Sequence, residues 1–169
     1  MEAHGVQRRG EVTVADGRIT LEAGNDLTGI TYTGDVPRMG YEASLEATRL
    51  AGSDFFCGWT FPVGEEFVSF ILGGWGGAVV GISSINDDNA SENETTQFQK
   101  FETGKWCRVR VRVTPGLLEA WIDDEQMVKV ATEGKRLAVR AGEIEASKPF
   151  GICSFRTRAA LRNLQIRTV

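Results

Sequence analysis

The side chains able to do chemistry on this chain are carboxylates, arginines and tryptophans. Glu42 and Glu46 sit either side of Ser44 in a run where Tyr41, Ala43, Leu45 and Ala47 alternate with Glu42, Ser44, Glu46 and Thr48. On a strand that spacing puts both glutamates on one face, about 13 Å apart. Glycosidases hold their two carboxyls roughly 5–5.5 Å or 6.5–9.5 Å apart. The two glutamates are therefore too far apart to act as an acid–base pair alone, and a partner such as Glu119 or Asp123 has to come from another strand. The chain has one histidine, His4, and no nucleophile elbow, phosphate-binding loop or histidine-based metal motif.

The four tryptophans divide by context. Trp59 and Trp106 lie beside apolar runs and read as core. Trp75 sits in Gly73-Gly74-Trp75-Gly76-Gly77, where four glycines allow positive φ and leave the indole little cover. Trp121 falls on a polar strand face beside Arg110. An indole offers an apolar face with a polar edge, the surface on which a sugar ring stacks.

The segment Ser83 to Thr96 is polar and is the longest loop expected. Its oxygens, centred on Asp87 and Asp88, are numerous enough for Ca²⁺ but lack the spacing of a calcium loop. A solvated loop without cofactor is the expectation. Asn89-Ala90-Ser91 and Asn93-Glu94-Thr95 match glycosylation sequons, which recur by chance in polar loops.

These residues need a scaffold, and the pattern supplies strands. The organising stretch runs from Trp106 to Asp124. Val109, Val111 and Val113 alternate with Arg108, Arg110 and Arg112, a period of two that a strand buries on one side. Pro115-Gly116 interrupts, and Leu118, Ala120 and Ile122 then alternate with Glu119, Trp121 and Asp123. A turn centred on Pro115-Gly116 opposes Val113 to Leu118, Val111 to Ala120 and Val109 to Ile122. The other face pairs Arg112 with Glu119, Arg110 with Trp121 and Arg108 with Asp123. Pro-Gly suits a type II turn, whereas tight hairpins favour the primed types, so a loop one residue wider is the alternative.

Elsewhere, Glu11 to Ala15 and Arg18 to Ala23 flank Asp16-Gly17, a strong hairpin signal. Thr28 to Tyr32, Tyr41 to Leu50, Phe55 to Phe61, Phe67 to Leu72, Ala78 to Ile82 and Gln97 to Phe101 read as strands. So do Met127 to Thr132, Phe150 to Phe155 and Leu161 to Val169, while Leu137 to Ser147 reads as a loop with a short strand. Met1 to Gly10 reads as a loose terminus. About a dozen short strands with no helix imply an all-β, two-sheet antiparallel jelly-roll sandwich in a single domain spanning 1–169.

The chain has 169 residues and a net charge of −4, which argues against nucleic acid as a partner. Cys57, Cys107 and Cys153 each lie in an apolar run and read as buried, inert thiols. No stretch is long or apolar enough to span a bilayer, and Met1 to Gly10 lacks the apolar core of a signal peptide. A soluble protein without membrane partner is expected, either intracellular or separated from its leader.

Lys105-Trp106, the alternating valines and Leu118-Glu119-Ala120-Trp121-Ile122-Asp123-Asp124 together resemble a recurrent core of concanavalin A-like folds. Pro149-Phe150-Gly151-Ile152, followed by Leu161-Arg162-Asn163-Leu164-Gln165-Ile166, resembles the closing strands of the 3-keto-disaccharide hydrolase family. That family was long classed as a domain of unknown function, and its fold is similar to laminin-G-like and glucanase jelly rolls. Tyr41 to Arg49 also matches, with Glu46 where members carry a glutamate on the concave sheet. Ser53-Asp54-Phe55-Phe56-Cys57-Gly58 stands where members have Asn-Ser-Gly, and Pro62-Val63 replaces a basic residue.

The resemblance implies a carbohydrate-directed domain with a glycoside in a groove lined by Glu42, Glu46, Arg110, Glu119 and Trp121, and Trp75 at its rim. Two alternatives stay open: an active hydrolase or lyase on 3-keto-sugars using one of those glutamates, and a protein-interaction module of a larger chain.

Overall fold

The computed structural model describes residues 6–169; His4 lies outside the described residues. The strands in chain order are β1 (Val6–Arg9), β2 (Val12–Ala15), β3 (Arg18–Leu21), β4 (Leu27–Tyr32), β5 (Tyr41–Ala51), β6 (Cys57–Val63) and β7 (Glu66–Gly74). They continue as β8 (Val79–Ser83), β9 (Gln97–Phe98), β10 (Cys107–Thr114), β11 (Leu117–Ile122), β12 (Glu125–Ala131), β13 (Phe150–Phe155) and β14 (Arg158–Thr168). Val6–Arg9, read from the sequence as part of a loose terminus, pairs antiparallel with β4.

Two antiparallel sheets stack as a jelly-roll sandwich. The front sheet has the order β12-β11-β10-β5-β14-β3-β2 and the back sheet β1-β4-β13-β6-β7-β8-β9. The β10–β11 hairpin takes the register its alternation dictates: Val113 opposes Leu118, Val111 opposes Ala120 and Val109 opposes Ile122. Pairing continues to Thr114 and Leu117, so the turn is not widened. Gly116, at φ 79°, supplies the positive φ that a Pro-Gly turn needs.

The valine side of that hairpin is sealed. Val109, Val111, Val113, Leu118 and Ala120 join Tyr41, Ala43 and Leu45 of β5 against Trp59, Phe61, Phe70 and Ile152 of the back sheet. Burying each valine side chain contributes about 1.5–3 kcal/mol. The Tyr41 hydroxyl donates to the Pro62 carbonyl at 2.5 Å, stitching front to back.

Residues alternate along the back sheet too, so Ile71 and Cys153 point away from the sandwich interior. There they form a second cluster with Val79, Ala90, Val139 and Ile144. Its cover is the segment 137–147, which makes a single bridge from Leu137 to Ile85 and a 3₁₀ helix, Glu143–Ser147, rather than the short strand expected. All three cysteines are buried and unbridged, as their apolar settings require.

Candidate functional site: a groove on the arginine-bearing sheet

The polar face of β10 turns away from the core onto the outside of the front sheet. β5 lies beside it with Arg108 opposite Glu46, Arg110 opposite Ser44 and Arg112 opposite Glu42. This neighbour, not the hairpin partner, decides the ion pairs of Arg110 and Arg112. Arg110 and Arg112 donate to Glu42 at 2.8 and 3.1 Å, and Arg167 of β14 joins at 2.7 Å. The expected Arg112–Glu119 pair does not form; Glu119 instead accepts from Gln126 at 2.9 Å. Arg108 sends its guanidinium to Asp124, while its backbone N–H donates to Asp123 Oδ1 at 2.8 Å. The Arg110–Trp121 contact does form, with the guanidinium carbon 3.9 Å from the ring centre.

Burial alone pushes the Glu42 carboxyl upward, but the hydrogen bonds from Arg110, Arg167 and Arg112 outweigh it and hold the pKa at about 2. Glu46 is also lowered, chiefly by the hydrogen bonds from Asn163 and Arg162. Both carboxylates therefore stay ionised near neutrality.

Asn163 owes its place to a bulge. The β14–β5 register shifts between Arg162 and Gln165, and Asn163 sits there at φ 57°. A bulge re-aims a side chain, and here it turns Asn163 onto Glu46 Oε2. Arg162 meets the same oxygen at 3.1 Å while stacking over Trp106 at 3.8 Å. Trp106 is thus half-buried beneath a guanidinium and not, as expected, part of the core; Trp59 is fully buried.

A cavity of about 340 Å³ opens on this face, lined chiefly by Glu46, Arg108, Arg110, Trp121, Asp124 and Asn163. Of the residues expected in the groove, Glu46, Arg110 and Trp121 meet there. Glu42 is only 5% exposed beneath its arginines, and Glu119 lies outside the lining residues. Trp75 is not at the rim. It lines a different cavity with Ile71, Phe55 and Phe155, on the outer side of the back sheet, because the β7–β8 turn that carries it belongs to that sheet. The residues missed from sequence were Arg108, Asp124, Asn163 and Gln165. One signal marked the bulge: apolar Leu161, Leu164 and Ile166 break the period of two at Arg162-Asn163.

In the loop expected to be solvated, several side-chain oxygens are taken by protein groups. Asp87 takes the Arg136 guanidinium, and Asn86 accepts the Arg136 backbone N–H at 2.8 Å. Asn93 shares its amide among the carbonyls of Ile82, Asp88 and Asn89, which ties its sequon into the loop. Among the described residues no group of three or more His, Cys, Asp or Glu could hold a metal, and no helix is long and apolar enough to cross a membrane.

The chain matches no family model and no curated protein, so the 3-keto-disaccharide hydrolase resemblance rests on its motifs alone. Among solved structures the chain is similar to the carbohydrate-binding module CBM66 of Bacillus subtilis, with TM-score 0.63 and 10% identity over 97% of this chain and 96% of that one. It is similar to a variant of the Emp46p carbohydrate recognition domain, with TM-score 0.62 and 12% identity over 96% and 87%. Structures of that domain include metal-free and potassium-bound forms. A candidate glycosyl hydrolase of Parabacteroides distasonis gives TM-score 0.56 and 12% identity over 98% and 94%. At these identities the likeness is one of fold: a jelly roll of the kind found in carbohydrate-binding modules and lectin domains.

Proposed function

We propose that this chain is a carbohydrate-directed jelly-roll domain that binds a glycoside in the front-sheet groove without turning it over. The carrying observation is the cavity of about 340 Å³ whose wall combines an indole edge with paired charges. Its size falls within the roughly 300–1,000 Å³ of small-molecule sites. Arg108 and Asn163 donate, Asp124 and Glu46 accept, and charge-assisted hydrogen bonds of this kind fix sugar hydroxyls. Arg110 covers one face of Trp121, so the indole contributes an edge or its second face. The likeness to carbohydrate recognition domains supports the same reading at the level of fold.

The finer assignment, hydrolysis or lysis of 3-keto-disaccharides, requires a general acid that carries a proton near neutrality or a general base strong enough to take one. Glu42 and Glu46 are held below the usual carboxylate range, so neither donates a proton near neutrality and each is a weak base, which favours binding over catalysis. Calorimetric titration with an oligosaccharide panel tests the proposal. At least one glycan is expected to bind, and Asn163→Ala to weaken it by ~tenfold. A blank panel, or an affinity indifferent to Asn163, overturns the groove assignment and leaves the protein-interaction reading. Turnover of a 3-keto-glucoside, with or without divalent metal, overturns the non-catalytic part.

A further inference from the structure

We infer that the outer side of the back sheet carries a second, independent sugar site, built around Trp75 and taking a hexopyranose ring. The cavity beside Trp75 measures about 360 Å³ and has Phe55, Phe155 and Ile71 as apolar walls. Trp75 is 38% exposed and stands at φ 47°, a backbone conformation that a bulky residue adopts only when its surroundings impose it.

Those surroundings are visible. Arg49, from β5 of the front sheet, reaches across with only 6% of its surface exposed. Its Nη2 donates to the carbonyls of Asp54, Gly73 and Gly77 at 2.8, 3.1 and 3.2 Å. A Cβ on Gly73 would collide with that nitrogen. The glycine loop is thereby clamped at both ends, and the backbone that carries the indole is held between them. Binding to a preformed surface avoids the ordering penalty a mobile loop would incur.

The polar groups choose the ligand. Arg140 places its guanidinium carbon over the Trp75 ring, 5.8 Å from its centre, so one face of the indole is shared with a cation. Glu143 also lines the cavity, its Oε2 accepting the Leu27 N–H at 3.5 Å. Ser83 lines it too; it is 2% exposed, and its hydroxyl has no hydrogen-bond partner. A buried hydroxyl without a partner is disfavoured, so a ligand that supplies one gains affinity. A pyranose meets all of these demands: its C–H side packs on the part of the indole that Arg140 leaves exposed, while its hydroxyls accept from Arg140, donate to Glu143 and pair with Ser83. A plain aryl ring would match the walls and desolvate the polar groups without replacing their bonds. The two cavities lie on opposite sheets, so each site can bind without the other.

The test is a titration of ¹⁵N-labelled protein with the methyl pyranosides of glucose, galactose and mannose, following the indole N–H signals. At least one pyranoside is expected to shift the Trp75 signal saturably. Arg140→Met should weaken that binding ~tenfold, and Asn163→Ala should leave it unchanged. Trp75→Gly, which keeps the positive φ while removing the ring, should abolish by calorimetry the binding that persists in Asn163→Ala, with the unfolding temperature retained. If no pyranoside moves the Trp75 signal, or Arg140→Met binds as tightly as wild type, the site is not a sugar site. A response to 2-naphthol with none to any pyranoside overturns the assignment in favour of an aryl ligand. A responsive Trp75 with an oligosaccharide panel that stays blank at Trp121 would fail the groove alone.

Discussion

Three guanidiniums converge on Glu42, which makes this one carboxylate the electrostatic centre of the front face. Its folded pKa of about 2 lies below its ordinary value of 4.5. The stability it contributes is therefore complete above about pH 4.5 and is lost as pH falls through the folded value. Glu42→Gln should destabilise the protein by ~1–3 kcal/mol at pH 7, toward the lower end because Arg167 and Arg112 can turn to water. Denaturant unfolding across pH should show the gap between wild type and Glu42→Gln constant above about pH 4.5 and shrinking toward pH 2. A gap that stays constant through that range would mean that the arginines do not hold the carboxylate as described.

At the scale of elements, two irregularities aim the side chains that matter. The bulge in β14 turns Asn163 onto Glu46, and the β7–β8 glycine loop turns Trp75 outward. The loop makes a sharp prediction because two of its glycines differ in surroundings. Gly73 stands at φ 81° against Arg49, whereas Gly76 stands at φ 91° facing open space. Gly76→Ala should lose only the left-handed backbone term, about 1–2 kcal/mol. Gly73→Ala should lose that and displace Arg49 as well, so its midpoint in urea should fall further. Equal losses would show that Arg49 does not clamp the loop.

Over the whole molecule, the sandwich isolates its interior from both outer faces. Cys57 and Cys153 are fully buried. Burial pushes the Cys57 thiol upward and takes Cys107 to about 11. Thiolate is the reactive form, so a thiol reagent such as Ellman's should titrate none of the three cysteines in the native protein and all three after unfolding. Reaction in the native state would indicate that the sheets separate locally. The same sealed interior keeps the front and back cavities apart, which is why substitutions at Asn163 and Trp75 are expected to act independently.

Most strands, though not β1, and the β10–β11 register were legible in the sequence because a period of two leaves one way to bury Val109, Val111 and Val113. The Arg110–Trp121 contact followed from that register, and the burial of the cysteines followed from their apolar runs. What alternation could not supply was the neighbour across the hairpin's other edge. β5 arrives there from far earlier in the chain, and it draws Arg112 to Glu42 and away from Glu119. The same holds for Trp75. Its glycines announced an exposed indole, yet only the assignment of β7 and β8 to the back sheet separated it from Glu46 by the thickness of the sandwich. Local pattern fixes which face of a strand a side chain takes; long-range strand order decides which side chains share that face, because pairing partners are chosen by the packing of the whole core.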